Sequence, residues 1–158
     1  MTRLTILTAA LVALSAPLHA AGNHDGGHDG EMAIGQPGDP SQVDRTVEVS
    51  MVETEDAEML FEPRDLSFEA GETVRFVITN TGMLEHEFVL DTTEEIAEHK
   101  EMMERFPEME HDDPNALRLK PGESGEIVWT FADDGTFEYA CLIPGHYESG
   151  MHGPLVVN

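Results

Sequence analysis

From Asp44 onward the chain carries short runs in which apolar and polar residues alternate. Val47, Val49 and Met51 alternate with Glu48 and Ser50, the period of a strand with one face buried. Met59-Leu60-Phe61 and Leu66-Ser67-Phe68 are shorter candidates on either side of Pro63. Val74 to Thr79, Glu126 to Phe131, Thr136 to Ala140 and Pro154 to Val157 are further strand candidates, and Glu87 to Leu90 resumes an apolar strand just after His86. Turn residues separate them: Ala70-Gly71-Glu72-Thr73, Asn80-Thr81-Gly82, Lys120-Pro121-Gly122-Glu123 and Ala132-Asp133-Asp134-Gly135. The last is expected to join its two strands as a hairpin. About seven short strands with turns between them predict an all-β Greek-key sandwich or barrel. No internal repeat is visible.

One segment breaks the β rhythm. Thr92-Thr93-Glu94-Glu95 offers a Thr-x-x-Glu capping box, and the spacing predicts a helical insert around residues 94–106, stopped by Pro107. On such a helix His99, Met102, Met103 and Phe106 share a face, because positions three and four apart are neighbours. Met109 and His111 follow directly. Two readings of this face stand side by side. It packs against the sandwich as a methionine-rich cover, or it forms a secondary Cu(I) site of thioethers and imidazole.

The first 43 residues differ in kind. Arg3, the apolar run Leu4 to Leu14 and the small residues ending at Ala20 read as a secretory signal peptide over residues 1–20. Its apolar run is too short to span a membrane. Residues 21–43 are rich in Gly, Asp, Pro and His, with little to bury, and are expected to form a disordered arm before a domain at 44–158. In that arm His24 and His28 interleave with carboxylates and Met32, a candidate for loose copper or nickel binding. Cleavage after Ala21 would leave Gly22-Asn23-His24, a free amine with a third-position His that suits square-planar Cu(II).

Charge narrows the partners. With 32 acidic and 8 basic residues the formal charge is −24. Such a surface repels nucleic acid and anionic lipid. It favours metal cations and a redox or copper-handling protein with a basic docking face. A monomer without a membrane span is expected.

The densest chemistry lies near the C-terminus. Cys141 is the only cysteine, His146 follows after four intervening residues, and Met151 after four more. Export places the chain where an unpaired thiol is a liability, and metal coordination gives it a reason to be there. Thiolate, imidazole and thioether on one loop are a ligand set that suits copper, and His86 would complete a His2Cys site with a weak axial Met. The plainer reading is a buried free cysteine beside a polar turn.

Asn80-Thr81-Gly82…His86-Glu87-Phe88 and Cys141-x4-His146-x4-Met151 together resemble the cupredoxins, over residues 44–158. The helical insert, Met109-Glu110-His111-Asp112-Asp113-Pro114-Asn115 and Cys141-Leu142-Ile143-Pro144-Gly145-His146-Tyr147 are similar to a group of periplasmic bacterial cupredoxins linked to copper tolerance. The resemblance implies one type 1 copper, with His86 and His146 giving ring nitrogens, Cys141 a short thiolate bond and Met151 a long axial contact. Many cupredoxins carry Asn directly after the first His, bracing two ligand loops together. Here that residue is Glu87, so the brace must come from elsewhere or be absent. A looser site would be green rather than blue, and both colours stay open.

Leu142, Ile143, Pro144, Met83, Leu84 and Pro154 are expected to form an apolar collar around His146, an exit for electrons. The leading expectation is a periplasmic copper protein serving copper tolerance by binding or oxidising Cu(I). The alternative is a mobile electron carrier between respiratory partners. A multicopper enzyme is not expected, because one domain without a His-x-His pair offers too few imidazoles.

Overall fold

The structure, a computed structural model, describes residues 32–107, 109 and 113–158. Ten strands and one helix follow in order: β1 (Gly35–Pro37), β2 (Arg45–Glu53), β3 (Met59–Glu62), β4 (Leu66–Phe68), β5 (Thr73–Asn80), β6 (His86–Asp91), α1 (Thr93–Arg105), β7 (Ala116–Leu119), β8 (Ser124–Phe131), β9 (Gly135–Ala140) and β10 (His152–Val157). One sheet has the order β1-β8-β5-β2-β3 and the other β4-β10-β9-β6-β7. The pairs β2–β5 and β4–β10 are parallel; the remaining pairs are antiparallel. This is the all-β, two-sheet sandwich with one helical insert that the alternation predicts.

In the first sheet the alternation works because one face is buried against the core. In β5, Val74, Phe76, Ile78 and Asn80 point inward, and in β8, Ile127, Trp129 and Phe131 do the same. Between the sheets Phe61 meets Phe88 and Tyr139 edge to face, with centroids 5.5 and 5.3 Å apart, while Phe68 stacks on Phe131 at 4.7 Å. Each such fully buried large side chain contributes about 1.5–3 kcal/mol relative to exposure. The buried polar ends are satisfied: the Trp129 Nε1–H donates to the Ile34 carbonyl and the Tyr139 hydroxyl to the Pro63 carbonyl.

Three expectations need correction. The chain from Ala132 to Gly135 is not a hairpin, because β8 lies in the first sheet and β9 in the second. A short polar turn between alternating strands looks the same whether those strands pair or face each other across the core. The arm boundary at residue 43 is also misplaced. β1 pairs with β8, matching Gly35 to Phe131, and Ile34 is fully buried in the main core. One isoleucine among glycines and acids was too sparse a signal. A further strand, β7, pairs Leu117 with Phe88 and is not among the strands expected from the sequence. Residues 1–31, with the signal peptide, His24 and His28, lie outside the described residues, as does His111.

The helix forms where expected. Thr92 is its N-cap and its hydroxyl accepts from the Glu95 N–H at 3.1 Å. The Thr92 N–H donates instead to Asp91 Oδ1 at 2.7 Å, so an aspartate supplies that half of the box. At the other end the Phe106 N–H reaches the Met102 carbonyl before Pro107 stops the ladder. Ile96 and Met103 bury against Val89, Ala140 and Leu142 as a second core on the outer face of β6 and β9. No helix among the described residues is long and apolar enough to cross a membrane.

Candidate metal centre

The β9–β10 connection runs from Cys141 to Met151 and folds on itself. The Cys141 N–H donates to the Met151 carbonyl at 2.9 Å, the Met151 N–H to the His146 carbonyl at 3.1 Å and the His146 N–H to the Ile143 carbonyl at 3.0 Å. Gly145 and Gly150 sit at φ of 89° and 97°, a region where a side chain would be strained. The Ser149 carbonyl accepts from the Met59 N–H, pinning the loop to β3. Side chains clamp it from outside. The ring of Tyr147 stacks on His152 at 4.1 Å, and both share Glu138 Oε1, at 2.8 Å from the Tyr147 hydroxyl and 2.9 Å from His152 Nδ1. Lys100 of α1 lies over the Tyr147 ring and pairs with Glu148. The insert therefore touches the ligand loop directly.

His86 opens β6 at the same end of the sandwich. Its ring, Cys141 and His146 place one donor atom each within 4.8 Å of one another. His86 Nδ1 and His146 Nδ1 are 3.1 Å apart, and the Cys141 sulfur is 3.4 Å from His146 Nδ1. Bonds of about 2.0–2.3 Å from nitrogen and sulfur to a shared ion put the donors roughly 3–4 Å apart. The donor set and its spacing fit copper. Met151 is fully buried in the same core cluster as Cys141. Cys141 and His86 are likewise sealed from solvent, while His146 is only partly buried.

Electrostatics follow from that burial. Desolvation pushes the Cys141 thiol from its ordinary 9.0 up to about 12, against N–H donation from Glu87 and Ile143. Desolvation, then the neighbouring His86, holds His146 below its ordinary 6.5. Near neutral pH the chain thus presents a thiol and a neutral imidazole, and an ion must displace the thiol proton.

The missing asparagine brace has substitutes. The Glu87 N–H still donates to the Cys141 sulfur at 3.3 Å, a backbone bond that needs no particular side chain. Asn80 Nδ2 donates to the Leu84 carbonyl at 2.7 Å and the Leu119 carbonyl at 2.9 Å, and Asn80 Oδ1 accepts from the Gly82 N–H. Glu53, at the end of β2, accepts from His86 Nε2 at 2.7 Å and from the Met83 and Leu84 N–H groups. No local sequence pattern marks Glu53, which lies 33 residues from its histidine.

The collar is smaller than expected. Leu142 turns inward to the second core, and Pro154 lies exposed along β10. Met83 and Leu84 are exposed on the loop before His86, and Ile143 and Pro144 reach the surface beside His146. The candidate secondary copper residues on α1 differ in exposure. Met103 is fully buried in apolar surroundings, Met102 is about half exposed at 46%, and His99 is intermediate.

Residues 47–158 match the profile of copper binding proteins of the plastocyanin/azurin family. The chain is 46% identical over 158 residues to a copper-resistant cuproprotein, CopI, of Rubrivivax gelatinosus, covering 96% of this chain and 93% of the relative. To the protein of the same name from Pseudomonas aeruginosa it is 36% identical, covering 96% of each chain. Among solved structures it is similar to auracyanin B, a protein of Chloroflexus aurantiacus, with 30% identity and a TM-score of 0.58 over 73% of this chain and 90% of that one.

Proposed function

The chain belongs to the plastocyanin/azurin family of copper-binding proteins, and from that membership we propose that it holds one copper in a type 1 centre and serves copper tolerance in the periplasm. The observation that carries the reading is the convergence of His86, Cys141 and His146 donors within 4.8 Å, in a chain 46% identical to a copper-resistant cuproprotein. His86 Nδ1, His146 Nδ1 and the Cys141 thiolate would hold the ion, with the Met151 thioether as a further, weaker donor. Copper in such a site supplies one-electron chemistry between Cu(I) and Cu(II).

The chain's own residues support that chemistry by staying still. Backbone bonds close the ligand loop, Glu87 fixes the sulfur, and Glu53 and Asn80 fix the loop that carries His86. A pre-organised donor set lowers the rearrangement that accompanies electron gain or loss. Tolerance is then served by binding Cu(I), or by oxidising it to Cu(II) with the electron passed to a redox protein partner. Export over the apolar leader and an arm with His24 and His28 accord with this role, and the latter offers a further, weaker copper site.

A second reading, electron carriage between protein partners, is favoured by one observation. His146 is the partly buried ligand, and exposed Met83 and Leu84 share its end of the fold. A partner docked there would reach the copper through the imidazole edge.

Copper stoichiometry and the optical spectrum of the mature protein test both readings. One tightly held copper with an intense thiolate-to-copper band, lost in Cys141→Ser, supports the type 1 centre. A band that survives Cys141→Ser overturns it. In a strain lacking the protein, copper sensitivity rescued by wild type but not by Cys141→Ser supports tolerance; unaltered sensitivity leaves the electron carrier as the better reading.

A further inference from the structure

Glu53 sits on β2, away from both ligand loops in sequence, yet its carboxylate is aimed at the metal centre. Three N–H groups converge on it. His86 Nε2 lies 2.7 Å from Oε1, the Leu84 N–H donates to Oε1 at 3.0 Å and the Met83 N–H to Oε2 at 2.7 Å. The Thr81 N–H and hydroxyl both reach the Met51 carbonyl, so the loop is laced to β2 on the same side. Gly82 makes room for this: a Cβ there would stand 2.4 Å from Glu53 Oε1. A glycine at the contact, two backbone donors and an imidazole, all meeting one carboxylate, describe a built position.

We propose that Glu53 is a positioning residue of the copper centre, fixing the tautomer of His86 and weighting the site toward Cu(II). The argument rests on the reading of His86 as a copper ligand. A carboxylate can only accept, so the proton of the His86 ring lies on Nε2. The lone pair then lies on Nδ1, the atom that faces His146 Nδ1 at 3.1 Å. Carboxylate–histidine–metal relays of this kind hold ring orientation and raise ligand basicity. The His86 ring is fully buried and the Glu53 side chain is 18% exposed, so little solvent stands between the negative charge and the ligand. A fixed negative charge behind a ligand favours the ion of higher charge.

The test compares wild type with Glu53→Gln and Glu53→Ala. Gln keeps an oxygen acceptor for His86 and removes the charge; Ala removes both. In Glu53→Gln the preference for Cu(II) over Cu(I) is expected to fall about tenfold, read as a potential about 59 mV more positive. In Glu53→Ala, nitrogen-detected NMR of the apoprotein is expected to show the His86 ring losing its single Nε2–H form, and Cu(II) affinity to fall about 10–100-fold. An unchanged potential in Glu53→Gln, with the thiolate band intact, overturns the proposal and leaves the copper site standing. A single Nε2–H tautomer in apo Glu53→Ala overturns its positioning part. Absence of the thiolate band in wild type would instead overturn the copper reading itself, so the two failures are distinct.

Discussion

The backbone of Cys141 is hydrogen-bonded to the backbone of Met151: the Cys141 N–H meets the Met151 carbonyl at 2.9 Å. Two residues of the proposed ligand set are thus joined without using either side chain. The loop between them keeps its closure whatever stands at position 151, provided the replacement fills the same buried space.

Met151→Leu is therefore expected to bind copper with unchanged stoichiometry while its potential rises. Loss of the proposed Met151 thioether ligand would remove a donor that supports Cu(II). A shift equivalent to about a tenfold change in the Cu(II)/Cu(I) preference, about 59 mV, is expected in a redox titration. Loss of copper from this variant would mean the side chain, not the backbone, closes the site.

Copper uptake should release protons. With its thiol pushed up to about 12, Cys141 is protonated in the neutral apoprotein, and the imidazole of His146 is not. Binding of Cu(II) near pH 7 is expected to release about one proton per ion, measured with an indicator in weak buffer. The same shift gives the apoprotein an alkaline weakness. The folded thiol holds its proton above its ordinary value of 9.0, so the stability it contributes is present below pH 9 and lost as pH rises toward about 12. Cys141→Ala should flatten that part of the stability curve relative to wild type.

The edge strand β1 makes a prediction about the N-terminal boundary. Ile34 is fully buried and its carbonyl accepts from Trp129 Nε1. Ile34→Ala is expected to destabilise the apoprotein by about 2–4 kcal/mol in denaturant unfolding. A chain beginning at residue 38 should lose more, because the β1 pairing with β8 goes as well.

On α1 the two adjacent methionines should behave differently. Met103→Ala, in the second core, is expected to cost about 2–5 kcal/mol. Met102→Ala, about half exposed, should stay within about 0.5 kcal/mol. Equal effects on stability would contradict the packing of the helix.

The candidate site was legible in sequence because chemistry and spacing coincide there: a lone Cys, a His and a Met on one short loop stand out from their surroundings. The strands were legible where alternating or apolar runs were bounded by turn residues, as from Val74 to Thr79 and from Phe88 to Leu90. What escaped was whatever depends on distance along the chain. Glu53 reads as one acid among 32 until the fold brings it to His86. Met103 and Met102 carry the same side chain, and only the docking of α1 decides which one is interior. The β8–β9 turn shows the same limit, since a local signal cannot report which sheet the next strand joins.

The parallel pairing of β4 with β10 sets Leu66 beside Leu155, joining an early strand to the last one. Contacts so remote in sequence form late, because the loop entropy must be overcome before the pairing stabilises anything. Both ends of the Cys141–Met151 loop are anchored in that same sheet, β9 on one side and β10 on the other. A nascent or partly folded chain therefore has a cysteine but no metal site. Tight copper capture becomes a property of the finished molecule, and thiol reactivity before that point is a hazard of assembly.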